Sequence, residues 1–190
     1  MRLTVIAALA SSALTLSACS SFSGLSNLAE STPNQGPCPA VGSVYEAQRI
    51  VEFASEGEQY TNIAYTGEIT GVKLYCRYID DNPIEAQIDV DFAFGRGQAA
   101  MSDTHEYEFF VAVTRTNRAV IDKEIFPVRV KFPKGEDVTT QRETIGRIVI
   151  PRADSSISGA NFEVLIGFDL TPEQLAFNEA GRRYLLQTKD

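Results

Sequence analysis

Asp89 and Asp91 stand two apart in a stretch that alternates apolar and polar residues, with Glu85 on the same side of the alternation. Carboxylates at this spacing share one face of a strand, where they offer oxygen ligands to Ca²⁺ or an acid/base pair for proton transfer. A strand face turned to water has the same composition, and no glycine-anchored calcium loop encloses these residues. A solvated face is therefore the expected role, with a metal held by Asp89 and Asp91 as the competing one. The acidic turn Asp80-Asp81 takes the same reading. His105 is the single histidine, flanked by Asp103 and Glu106. A Ser-His-Asp hydrolase would have to use it, yet no Gly-x-Ser-x-Gly elbow is present; it is expected as an exposed loop residue. Gly95-Arg96-Gly97 lacks the further Gly, the Lys and the helix start of a phosphate loop, and its glycines are expected to allow positive φ at a strand end. No catalytic constellation emerges, so a protein that is not an enzyme and carries no cofactor is expected.

The residue with the most definite chemistry is Cys19. Residues 1–18 have a basic start at Arg2, an apolar centre from Leu3 to Leu16 and small residues before a cut, the three parts of a secretory signal. The apolar centre is diluted by Ser11, Ser12 and Thr15 and falls short of the ~20 apolar residues that a spanning helix needs. Leu16-Ser17-Ala18-Cys19 resembles the bacterial lipoprotein signal, a Leu and two small residues before an obligatory Cys. That resemblance implies a diacylglycerol on the Cys19 sulfur, cleavage before it and acylation of the new amino terminus. Three chains on one residue hold a protein to a bilayer far more firmly than the marginal grip of one. Ser20 and Ser21, with no Asp after the cysteine, match the pattern of sorting to the outer membrane. The competing reading is an ordinary signal peptide followed by a free Cys19.

Residues 19–37 are rich in Ser, Gly, Asn, Pro and Gln and cannot bury enough apolar surface to fold alone. They read as a tether with a typical reach of about 20–25 Å. The chain carries a formal charge of −8, one unit more negative once Arg2 is removed. An acidic balance argues against nucleic acid and against a broad anionic lipid surface as partners. Residues 38–190 are enough for one domain with a sizeable core.

With Cys19 assigned to lipid, Cys38 and Cys76 remain. In an exported chain an even remainder points to a disulfide, which at this span would stabilise by ~4 kcal/mol in the chain-entropy model. Two buried free thiols or a metal site are the alternatives. The pair has no neighbouring His and forms no Cys-x-x-Cys.

From Tyr60 onward the hydrophobic period is two. Val72, Leu74, Cys76 and Tyr78 alternate with polar residues, and Ile84 to Phe94 give the cleanest alternation in the chain. Further strands are expected over Tyr107–Val113, over Ala119–Phe132 with Pro127 marking an edge or bulge, up to Ile150, and over Phe162–Phe168. Residues 44–53 suit a strand and a helical face equally. Seven or so short strands separated by turn clusters predict an all-β, antiparallel β-sandwich, Ig-like or fibronectin-like in architecture, with a barrel as the alternative. Thr171-Pro172-Glu173-Gln174 predicts a capped C-terminal helix to about Gly181.

Cys38-Pro39, Cys76-Arg77-Tyr78, Phe109-Phe110-Val111-Ala112-Val113 and Gly167-Phe168-Asp169-Leu170, with the Gly97 loop and Gln174 to Asn178, resemble a group of uncharacterised alphaproteobacterial envelope lipoproteins. The resemblance spans most of the mature chain and implies a fold and a compartment but no activity. Arg182-Arg183-Tyr184-Leu185-Leu186 reads as a frayed end or as a docking peptide for a partner's sheet edge. The expected function is that of a structural or protein-interaction module, lipid-anchored through Cys19 and facing the periplasm, with another envelope protein as partner. A small-ligand or calcium-binding module is the alternative.

Overall fold

The computed structural model describes residues 36–78, 81–117 and 119–182. Cys19, the lipoprotein signal, most of the tether, Asp80 and residues 183–190 lie outside the described residues. Among the described residues eight strands form two four-stranded sheets packed face to face, which is the sandwich expected from the alternation. The kinship to immunoglobulin-type sandwiches is one of architecture, for the strand order is its own.

The first sheet runs β2-β3-β4-β7, with β2 at Arg49–Phe53, β3 at Ile63–Arg77, β4 at Ile84–Arg96 and β7 at Val138–Ile150. Its organising strand is β4. Ile84, Ala86, Ile88, Val90, Phe92 and Phe94 are all buried, while Glu85 and Gln87 face solvent. In β3 the inward residues change phase between Ile69 and Val72. The register explains this: Ile69 lies opposite Phe92 and Gly71 opposite Asp91, so Thr70 is an extra residue. That bulge turns Tyr65 and Ile69 to the core ahead of it and Val72, Leu74 and Cys76 after it.

The second sheet runs β1-β8-β5-β6, with β1 at Ala40–Ser43, β8 at Phe162–Phe168, β5 at Thr104–Arg115 and β6 at Val120–Lys131. β6 is an edge strand, and Pro127 sits where a missing N–H is tolerated. One pair departs from the antiparallel expectation. β1 runs parallel to β8, Ala40 opposite Glu163 and Ser43 opposite Ile166. Four residues whose only large apolar side chain is Val41 gave no strand signal of their own.

Between the sheets, Phe92 meets Phe109 edge-on at 5.1 Å, and Phe94 stacks on Tyr107 at 4.7 Å. The Tyr107 hydroxyl donates to the Thr66 carbonyl at 3.0 Å and so ties one sheet to the other. Burial, helped by Glu52 and Tyr65, holds its phenol well above the ordinary tyrosine range, and it stays a donor.

The undecided stretch 44–53 resolves into a 3₁₀ turn, Tyr45–Ala47, followed by β2. Ile50 packs into the main core and Val51 into a smaller cluster with Ile63 and Phe177. A strand covered on both faces has no clean period, which is why its pattern was ambiguous. The second cover is α1, Pro172–Glu179. As expected, Thr171 accepts from the Gln174 amide and the Gln174 side chain accepts from the Thr171 amide, a complete capping box. The Asn178 side chain then donates to the carbonyls of Glu46 and Arg49, at 2.7 and 2.8 Å.

Candidate functional site

The strand alternation puts Asp89 and Asp91 on the outer face of the first sheet, each partly exposed. Asp91 lies opposite Arg142 and Asp89 opposite Thr144. Arg142 Nε and Nη2 donate to the two Asp91 oxygens at 2.6 and 3.0 Å, a bidentate fork, and Thr144 Oγ1 donates to Asp89 at 2.9 Å. The Arg142 hydrogen bond holds the Asp91 carboxyl below the usual carboxylate range. Glu85 is paired with Arg77. Both Asp91 and Glu85 thus face cations of neighbouring strands. Among the described residues no three His, Cys, Asp or Glu side chains gather as a metal set would require.

His105 lies on β5, not in a loop, and this corrects the sequence expectation. It shares the inward register of Tyr107 and Phe109 and packs at the mouth of the sandwich. Its ring stacks on Tyr65 with centroids 4.0 Å apart and planes 9° apart, and it meets Tyr107 edge-on at 4.6 Å. Nε2 sits 2.8 Å from Glu52 Oε2 but makes no aligned hydrogen bond. Its neighbour Glu52 came from the stretch whose period could not be read.

The loop from Gly97 to Asp103 beside it is fastened. The Gly97 amide donates to the Ala64 carbonyl at 2.7 Å, and the Tyr65 hydroxyl bonds both the amide and the carbonyl of Ser102. Neither Gly95 nor Gly97 has positive φ, which corrects the second expectation for this loop. Gly97 is required for closeness instead: a Cβ there would collide with the Ile63 carbonyl.

At the domain entrance Cys38 and Cys76 form a disulfide, with Cα atoms 5.7 Å apart. It joins the segment ahead of β1 to the end of β3. Tyr78, 4% exposed, completes the knot: its hydroxyl donates to the Pro37 carbonyl and accepts from the Gly159 amide at 2.8 Å. Arg152 lies over its ring.

A feature that the sequence reading missed lies where the two sheets part. The edge strands β6 and β7 border a groove of about 230 Å³. Val111, Val113, Phe126 and Ile148 form its apolar lining, and Asp122, Glu124 and Arg147 stand on its rim. All three charged residues are exposed, and none makes an ion pair with another described residue. Arg147 has φ of 61°, a left-handed conformation that costs ~1–2 kcal/mol in a residue with a Cβ. It belongs to a bulge, since Ala86 pairs with Ile148 but Ile88 with Ile145. A signal for this groove was available in the sequence. Asp122 and Glu124 share the parity of Phe126, Val128 and Val130, so charges stand in the inward register of an otherwise apolar strand face.

Comparison of the chain with protein-family models, with curated proteins and with solved structures finds no match. The function therefore has to be argued from the chain's own residues.

Proposed function

We propose that this chain is a lipid-anchored envelope lipoprotein whose β-sandwich serves as a protein-interaction module facing the periplasm, held at the outer membrane through Cys19. The observation that carries the reading is the Cys38–Cys76 disulfide. A bond of this kind persists in an oxidising compartment, and it sits only 19 residues past the cysteine of the lipoprotein-type signal. It braces the point where a tether would enter the domain. The two charge-rich clusters whose chemistry could have been catalytic are each occupied structurally. Asp91 is forked by Arg142, and His105 is packed between tyrosines beside Glu52.

The alternative, a small-ligand or calcium module built on the acidic face or the Gly95–Glu106 loop, has less to draw on. Asp91 is neutralised, and the loop is pinned by Tyr65 and by the Gly97 amide. Calorimetry with Ca²⁺ separates the two: heat and a raised melting temperature would favour the alternative.

The anchor is tested by metabolic labelling with radioactive palmitate in a bacterial host. Wild-type chain should carry label and fractionate with the outer membrane, and Cys19→Ser should lose both. Label retained by Cys19→Ser would overturn the assignment.

A further inference from the structure

We propose that the β6/β7 seam is a docking edge for an extended segment of another protein, one that presents basic residues at alternate positions. The inference rests on the interaction-module reading above and names the surface involved.

Among the described residues β6 has a free edge, and this is the starting point. A strand at the end of a sheet leaves a row of backbone donors and acceptors unpaired and is a template for another chain. Pro127 blocks the continuation, which leaves Val120 to Phe126 as the usable length. On this same length the sandwich is open, for the groove lies beneath it. At about 230 Å³ the groove is smaller than the ~300–1,000 Å³ of small-molecule pockets, but a strand laid along an edge fills such a space with only alternate side chains.

Charge decides which strand fits. Asp122 and Glu124 are two apart and point to one side, so an added strand sets two of its own side chains beside them on that side. Basic residues there would meet both carboxylates, and an apolar residue next in the alternation would reach Phe126. Across the groove, the bulge presents Arg147 to an acidic group of the same segment. A second copy of this chain is disfavoured by the same charges, because pairing β6 with its own copy brings Asp122 and Glu124 near their counterparts. The edge rejects itself and leaves a basic partner.

The test uses the full chain in detergent with two short synthetic peptides. One alternates lysine with threonine and ends in valine; the other carries glutamate in place of each lysine. Binding is read from amide chemical shifts across residues 120–126. The lysine peptide should bind about tenfold more tightly than the glutamate peptide. The double variant Asp122→Lys, Glu124→Lys, at exposed positions and checked for an unchanged melting temperature, should reverse the preference. Equal affinities, or shifts located elsewhere, would overturn the docking edge, as would a wild-type dimer that the double variant loses.

A photo-crosslinking residue placed at Ile125 or at Tyr75 in the anchored chain then separates the two levels. Adducts from Tyr75 with none from Ile125 would remove the edge and leave the interaction module standing. None from either position would count against both.

Discussion

His105 and Tyr65 lie ring on ring, 4.0 Å between centroids, although they belong to different sheets. The stack closes the mouth of the sandwich and brings Glu52 of a third strand within 2.8 Å of the imidazole. Replacement by alanine removes two aromatic contacts, and His105→Ala should cost about 1–2 kcal/mol. His105→Phe keeps the stack and should lie closer to wild type. Urea unfolding of the three proteins checks the order. A His105→Ala midpoint equal to wild type would show that the stack contributes nothing.

The Asp91–Arg142 fork makes stability depend on pH in a defined direction. Because the folded carboxyl titrates below its unfolded value near 3.9, its contribution is fully present above that value and is lost as pH falls through the lowered folded one. The stability difference between wild type and Asp91→Asn should be constant from pH 7 to about 5 and should shrink on further acidification. Thermal melts at several pH values test this. A difference that grows on acidification would contradict the pairing.

Tyr78 holds two segments with one oxygen. Tyr78→Phe deletes the bond to the Pro37 carbonyl and leaves the buried Gly159 amide without its acceptor, so a loss of about 1–3 kcal/mol is expected. Hydrogen exchange at Gly159 should accelerate in the variant while β4 amides stay protected. Reduction of Cys38–Cys76 in the Tyr78→Phe background should lower the melting temperature further.

Two glycines should respond oppositely to the same change. A Cβ at Gly97 strikes the Ile63 backbone, so Gly97→Ala should destabilise by about 1–3 kcal/mol. A Cβ at Gly146 meets nothing within 4 Å, and Gly146→Ala should stay within about 0.5 kcal/mol of wild type. Denaturant midpoints of the pair decide between steric closeness and a general intolerance of substitution at glycine.

Much of this architecture was legible in the sequence, wherever one physical rule acted alone. β4 has one face in the core and one in water, so its alternation was unbroken. Thr171 to Gln174 announced α1 through capping chemistry that needs no tertiary context. Cys76 could be placed inward because its neighbours Val72 and Leu74 share its parity. What stayed open, was misread or went unnoticed lies where two rules overlapped. β2 is covered by the core on one side and by α1 on the other, so its pattern had no period. His105 follows a glycine-rich loop and has charged neighbours, and only the β5–β6 register reveals that it turns inward. The groove charges Asp122 and Glu124 are polar on an apolar register, a conflict visible along the strand but meaningful only once β6 is known to be an edge.

The disulfide also decides where a pull on the chain is felt. β1 is only four residues long and lies alongside β8, and on its own it would be the first element to peel under tension from the amino-terminal side. Cys38 precedes it and is bonded to Cys76 at the end of β3, a 15-residue strand hydrogen-bonded on both sides for part of its length. Load arriving ahead of Cys38 therefore passes through a covalent link into β3, which is paired with β4 at that end, and bypasses β1. A domain built this way can be pulled from its amino-terminal side without unzipping from its entrance.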